Sequence, residues 1–456
     1  MRTLKVLLLL ILLLPVVGCK RITALFHGGR VSAEKFICHL DFKMSAFNSP
    51  MISPDIRHIA YVARIGAKEF VVVDGKEEKA YDGINQLSLI FSPDSRRVAY
   101  TAQFGEKWLV VVDGNEQKSY DDIGDGLIFS PDSQSLSYAA RVGTKRFVVV
   151  NGYQQKPYDG IGYGSLVFSP DSRHLAYWAK VGDKQHVVVD GKEGKSYDYY
   201  NGDINPVFSP DSQRMAYPAK IGAKWFVVVD GNEGKPYDDI SGVSLKFSPD
   251  SRRVAYDAQV GARHFVVVDG KEELSYDELM YGDPIFSADS RRMAYVVING
   301  GKWLVMVDGK QEGPGPYEVF CDGPFFSPDS KHVVYVARIG DKEVTVLDGK
   351  VGKSYDYISA GKAFMFTALT ERPLKFEVLD PKKPPFFSPD SRHMAYRGKV
   401  VGKWIVVADG KEGKAYDEIP GGILFDSANE LHYLAQTNTA KDGNSYDVYL
   451  VEETIF

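Results

Sequence analysis

Two columns of charge recur along this 456-residue chain at fixed spacing. A basic residue stands six positions before a sharp Asp-Gly or Asn-Gly turn at Lys68, Lys107, Lys145, Lys184, Lys224, Arg263, Lys302, Lys342 and Lys403. An acid follows a tyrosine at Asp82, Asp121, Asp159, Asp198, Asp238, Asp277, Glu318, Asp356 and Asp417. Such columns can hold an ionic ligand in a ring of charge, or they can form cross-strand ion pairs on either side of a short hairpin. A feature present in every copy maintains the copies more readily than it recognises one ligand, so ion pairing is the expected use. Four further carboxylates, Asp125, Asp203, Asp283 and Asp322, fall near the start of an expected inner strand. Two of them converging would suit a glycan hydrolase or lyase. No catalytic signature accompanies them. The chain has no G-x-S-x-G elbow and no H-E-x-x-H motif, and its nine histidines are scattered, four of them (His58, His174, His332 and His393) where other copies carry Arg. No cofactor and no metal site is expected.

Residues that differ from copy to copy are the better candidates for binding, because the scaffold does not dictate them. The position before each Val-rich run reads Glu69, Trp108, Arg146, Gln185, Trp225, His264, Trp303, Glu343 and Trp404. The connections that follow the Tyr-acid pair differ too, and carry Tyr163, Tyr199, Tyr200 and Tyr281 beside the four aspartates. Aromatic and carboxylate side chains grouped on loops suit a peptide or glycan.

The element that must position these residues is a repeat of about forty residues. An aromatic residue, Ser-Pro-Asp-Ser, a basic pair and Ala-Tyr lead into a Val-rich run, Asp-Gly and Lys-x-x-x-x-Tyr-Asp. The Asp of the first element falls at Asp55, Asp94, Asp132, Asp171, Asp211, Asp250, Asp289, Asp329 and Asp390. Residues 88–123 show the reading: a short apolar strand a, a turn, an alternating strand b, a Gly turn, an apolar strand c, an Asp-Gly hairpin and strand d. Four antiparallel strands form one blade, whose two apolar faces are buried only by stacking against other blades. The fold class is therefore all-β, a β-propeller. A tenth, decayed copy runs from Phe425 to the C-terminus and supplies strands a to c only. Residues 34–42 are apolar enough to complete it, which favours a single ring of about ten blades; an eight-bladed ring with an extension is the alternative. The last interval is longer by about twenty-two residues, read as an insertion at 360–384, either a hairpin between repeats eight and nine or a collapsed extra repeat.

Phe91–Tyr100 and Phe247–Tyr256, both F-S-P-D-S-R-R-V-A-Y, resemble the WD-like repeats of TolB-type bacterial β-propellers. The resemblance spans most of the chain and implies the propeller fold. It does not extend to the separate α/β domain that precedes the TolB blades.

The N-terminus carries a second signal. A short basic segment precedes thirteen apolar residues broken by Pro15, too short to span a membrane and suited to a signal peptide. Val16-Val17-Gly18-Cys19 resembles the lipobox of bacterial lipoproteins, which implies cleavage after residue 18 and a lipid on Cys19. Lys20 after the cysteine implies the outer membrane, facing the periplasm. The expected organisation is a signal peptide (1–18), a tether with a possible closing strand (19–47) and the propeller (48–456). Cys38 and Cys321 sit blades apart and are not expected to pair. Net charge is −5, which argues for no nucleic-acid partner. The expected function is a non-enzymatic, lipid-anchored envelope scaffold. It would bind a protein, peptide or glycan through a face made of d–a and b–c loops, with the channel-mouth glycan enzyme as the competing class.

Overall fold

A computed structural model describes residues 22–27, 30–41, 51–124, 126–199, 205–241, 244–277, 284–359, 386–420, 422–438 and 445–455. These form ten antiparallel sheets arranged as a ring of blades. In the second blade strand a is Gly83–Phe91, b Val98–Phe104, c Lys107–Val112 and d Asn115–Tyr120. The other blades repeat that order.

Local chemistry fixes each turn. Asp113 and Gly114 both take positive φ, 51° and 76°, as a two-residue type I′ hairpin requires. Asp113 Oδ1 also accepts the Val98 N–H at 2.9 Å, so the c–d turn caps strand b of its own blade. In the a–b turn the Ser92 hydroxyl donates to Asp94 Oδ1 at 2.6 Å and accepts the Arg97 N–H at 2.9 Å. The fourth residue, Ser95, turns the chain at φ 62°.

The core lies between sheets, not within them. Val110, Tyr120, Tyr138 and Ala140 are fully buried where blade two meets blade three. The tyrosine ending strand d of one blade meets the Ala-Tyr tyrosine of the next edge to face. Tyr120 and Tyr138 lie 6.2 Å apart at 76°, and the same pairing recurs at Tyr81–Tyr100, Tyr158–Tyr177, Tyr197–Tyr217 and Tyr237–Tyr256. Strand a is the axial strand. Adjacent a strands approach within 8 Å, as Met51–Ile52 does to Gly83–Phe91 and Val207–Phe208 to Lys246–Phe247. Strands d lie at the rim, where Lys76 and Glu77 are fully solvated.

The ring closes as one. Leu424–Phe425, Glu430–Asn438 and Ser445–Ile455 are strands a, b and c of the tenth blade, and Arg30–Asp41 supplies its strand d, with Glu34 opposite Val451. A further strand, Ile22–His27, pairs outside it, so much of the expected tether is sheet. Ile56 and Ile59 of blade one pack on Leu434 and Val448 of blade ten, and His432 Nε2 lies 2.7 Å from the Asp55 carbonyl. On the other flank Glu34 accepts from Lys414 at 2.7 Å and from the Tyr416 hydroxyl at 2.6 Å. The eight-bladed alternative is set aside.

The insertion is placed differently from either expectation. Strand a of blade nine opens at Tyr357–Ser359 and resumes at Phe386–Phe387, which pairs with Met394. Residues 360–385 therefore leave and rejoin one axial strand; they themselves lie outside the described residues. The step from blade eight to nine keeps the ring's ordinary contact, Asp329 N–H to Ser391 Oγ at 3.0 Å.

Candidate functional site

In a four-stranded meander the a–b and c–d turns share one face of the ring, and the b–c turns share the other with the d–a crossings. On the first face, called here the SPD face, polar groups bind within their own blade and across to the neighbouring one. Asp94 N–H donates to Ser133 Oγ of the next blade at 3.0 Å, and the same bond recurs from Asp55 to Ser95, Asp132 to Ser172 and Asp211 to Ser251. The basic residue opening strand b pairs with the hairpin aspartate: Arg97 Nε–Asp113 Oδ2 at 2.9 Å, Arg214–Asp230 at 2.8 Å, His174 Nδ1–Asp190 at 2.7 Å. In blade three, where Asn151 replaces the aspartate, Ser135 replaces the base, and Asn151 Nδ2 donates to its hydroxyl at 3.1 Å.

On the opposite face the two charged columns do pair across the strands, and they do more. Lys68 Nζ donates to Asp82 Oδ1 at 2.6 Å while Asp82 Oδ2 accepts the Gly105 N–H, in the b–c turn of the next blade, at 2.8 Å. Asp159 joins Lys145 to Gly182 and Asp238 joins Lys224 to Gly261 in the same way. Each aspartate is thus a bracket between blades. The Lys68 ammonium, then the Gly105 amide, hold the Asp82 carboxyl below the usual carboxylate range. At the rim a second set of ion pairs joins neighbouring d strands, Lys79–Glu116 at 2.6 Å and Lys156–Glu193 at 2.7 Å.

Some copy-specific residues sit on the axial strand. Between Asn85, opposite Thr101, and Ile90, opposite Ala99, strand a carries extra residues that bulge off the ladder. A serine closes the gap: Ser88 Oγ accepts the Thr101 N–H at 2.7 Å, and Ser165 and Ser244 do the same for Trp178 and Asp257. The described d–a connections include these bulges, so Tyr163 lies on the axial strand and is 55% exposed there. Tyr199, 40% exposed, stands instead at the end of strand d, its N–H donating to the Asp183 carbonyl of the b–c turn at 3.2 Å and its ring centre 3.9 Å from the Lys180 ammonium. Asp322 is half-buried and accepts the Gly323 N–H at 2.9 Å. Asp125, Tyr200, Asp203, Tyr281 and Asp283 lie outside the described residues, as does Cys19.

The tryptophan column is placed elsewhere. Trp225 and Trp404 are buried, and Trp108 and Trp303 half-buried, all packed into the clusters between blades. Their position on strand c faces the strand a start of the next blade, where Glu69 accepts the Ile84 N–H at 2.7 Å and Glu343 the Ile358 N–H at 2.8 Å. Copy-to-copy variation there reflects different ways of filling one groove, so the expectation of a ligand face at Trp225 and Trp404 is corrected.

Blade nine holds a polar cluster around Trp404 and Arg397. Trp404 donates to Glu418 at 3.1 Å, meets Tyr357 edge-on at 5.6 Å, and lies under both the Arg397 and Lys399 cations. Arg397 is buried, donating to Ser359 Oγ at 2.8 Å and to the Ile419 carbonyl. Nearby, Cys321 is a free thiol that burial, then the Glu343 carboxylate, push up to about 12. Glu343 is itself taken up by Arg338 at 2.8 Å. These groups answer one another and tie blade nine to its neighbours at the root of the insertion. Among the described residues no group of three His, Cys, Asp or Glu side chains is placed to hold a metal ion.

One feature escaped the sequence reading. Strand b ends on an exposed apolar residue in eight blades: Ile65, Phe104, Val142, Val181, Ile221, Val260, Ile339 and Val400, with Val401 beside the last. Near the SPD face the exposed large apolar side chains among the described residues are isolated, Tyr153 beside the c–d turn of blade three and Val351 beside that of blade eight.

No protein-family model matches the chain, and no curated protein matches it. Solved structures are similar at a distance. A eukaryotic initiation factor is 13% identical over 69% of this chain and 90% of its own, with a TM-score of 0.45. TolB from Acinetobacter baumannii is 15% identical over 56% and 78%, with a TM-score of 0.26. The Dos1 propeller is 12% identical over 79% and 90%, with a TM-score of 0.34. At that distance no ligand or partner transfers, and the fold stands on the strand pairing itself.

Proposed function

We propose that the protein is a non-enzymatic binding scaffold, anchored by a lipid on Cys19 at the periplasmic side of the bacterial outer membrane. Its partner is a protein, peptide or glycan held at the axial wall. One observation carries this reading. The residues repeated in every blade are consumed in joining blades, whereas two of those that differ stand exposed, Tyr163 on a bulge of the axial strand and Tyr199 at the d–a crossing that follows it. A scaffold that varies where its strands leave the ladder offers a different surface at each blade, which suits an extended ligand touching several.

The test uses a photo-crosslinking amino acid at Tyr163 or Tyr199 in intact cells. Both positions are expected to yield the same discrete adduct, and Tyr153, 77% exposed at the rim, to yield none. Equal, diffuse labelling at all three would refute the axial site. For the anchor, Cys19→Ser is expected to abolish lipid labelling and to release the protein or leave its signal peptide uncut. Unchanged labelling and fractionation would refute the lipoprotein reading.

A further inference from the structure

The apolar crown on the b–c face has no role in joining blades. Its residues end strand b, and the hairpin does not require them to be apolar, since blade seven has Asn299 and blade ten Thr437 at that place. Strand propensity alone would be met by threonine. Phe104 is 61% exposed and Val401 88%. The cation beside each is already neutralised, Lys107 opposite Phe104 by Asp121 and Lys403 opposite Val400 by Asp417 at 2.5 Å. The face therefore carries apolar side chains beside its turns, three of which also expose a carboxylate, Glu106, Asp183 and Asp341, and paired charge at its base.

A second, independent observation concerns the N-terminus. The outermost strand of blade ten, Ile22–His27, runs toward the SPD face, because His27 lies opposite Arg30, and Arg30 opposite Ile455. The chain thus comes into it from the crown side. Ile22 pairs with Lys35, four residues from His39, which stands level with the crown position Thr437 through Asp447. Four strand residues span about 13 Å. Cys19 precedes Ile22 by three residues, a reach of at most about 10 Å. The intervening residues are long enough for a lipid on Cys19 to start near the plane of the crown.

We infer that the b–c face lies on the bilayer, its crown seated in the boundary between headgroups and acyl chains as a second membrane contact beside the lipid. The inference rests on the lipoprotein reading of Cys19. A ring of single apolar side chains about an axis holds a disc flat, where one lipid at its edge would let it swing. Interfacial apolar faces of this kind sit roughly 5–10 Å into the boundary. The internal Lys–Asp neutralisation means that zwitterionic lipid suffices. With this face down, the axial wall opens to the periplasm through the SPD face.

The experiment uses the full lipidated protein in phosphatidylcholine vesicles, with and without brominated acyl chains. Phe104→Trp, Ile339→Trp and, on the SPD face, Gln134→Trp each add one tryptophan to the native five, whose emission is subtracted. The two crown variants are expected to shift blue and lose emission to bromine, and Gln134→Trp to do neither. Crown emission that ignores bromine while mass spectrometry finds the lipid on Cys19 overturns the inference and leaves the anchor intact. Crown tryptophans shielded from both bromine and aqueous iodide would place a second copy of the chain on the face, which also overturns it. A need for anionic lipid would move recognition to the lysines and overturn the apolar reading. A chain without lipid on Cys19 sinks the envelope reading and the inference together.

Discussion

The two faces of the ring are made from one forty-residue unit and use it in opposite ways. On the SPD face the serine hydroxyl, the aspartate carboxylate, the aspartate amide and the basic side chain all find partners in their own or the next blade. On the b–c face the ion pair at the base is satisfied in the same manner, but the residue at the tip is apolar and open to water. Repetition alone therefore does not mark architecture. A repeated residue whose groups are answered inside the ring holds the ring together; one left unanswered in water is addressed to something outside it.

The difference can be broken or sharpened by mutation, and the largest effect is expected on the SPD face. Gly231 holds φ at 80° with open space around it, so Gly231→Val meets backbone strain and no clash. A loss of roughly 1–3 kcal/mol in urea unfolding is expected; tolerance of valine would mean the hairpin can change type. Next comes Ser133→Ala, which removes the acceptor of the Asp94 N–H while keeping the turn. A loss of about 1 kcal/mol is expected, and a loss under about 0.3 kcal/mol would mean that water replaces the hydroxyl. On the b–c side Lys224→Ala should cost at most about 1 kcal/mol, because the pair is half-exposed and Asp238 keeps its Gly261 bond. Phe104→Ser should change stability by less than about 0.5 kcal/mol. If it costs as much as Gly231→Val, the crown is structural after all and the contrast between the faces fails.

Acid tests both faces at once. The Asp94 carboxyl is held low by the Ser92 hydroxyl, and the Asp82 carboxyl by Lys68. At Asp329 burial pushes upward, but the Ser327 hydroxyl and the groups of Lys331 outweigh it, to about 2. Folded values lie below unfolded ones, so the stabilisation is complete above the ordinary carboxylate range and is lost as pH falls through the folded values. The urea midpoint should hold from pH 8 to 5 and drop between about 4 and 2. A midpoint already falling at pH 6 would show that these carboxylates are not the controlling groups.

The blades were legible because their signals are local. Asp-Gly between apolar strands, serine and aspartate three atoms from the amides they cap, and a Val run apolar on both sides each act within one hairpin. The ring closure was legible too, since a tenth copy with three strands demanded a fourth and residues 34–42 offered it. What was misplaced depends on neighbours. Trp404 and Trp108 occupy the same column as Glu69 and Gln185, and only the adjoining blade shows that the column faces a groove. The insertion looked like a piece between repeats because sequence cannot tell the end of one blade from the middle of the next axial strand. The rim pairs and the crown were present in the repeat itself, as the Lys before Tyr and the apolar residue before the b–c Gly. They went unread because a column of ordinary residues gains meaning only from what faces it.

The ring's closing strand has a consequence in time. Arg30 pairs with Glu453 across 423 residues, while the internal blades are meanders of neighbouring hairpins. Those hairpins can form in the order they are made, at the speed of short loops. The N-terminal hairpin of Ile22–His27 and Arg30–Asp41, however, has no blade to join until Ser445–Ile455 arrives. Through the whole of synthesis that hairpin stays undocked, and blades one and nine each keep a bare flank. Completion is thus a single late event gated by the C-terminus. A chain ending before residue 445 should collapse into blades yet remain susceptible to proteolysis within residues 30–41, whereas the full chain protects them.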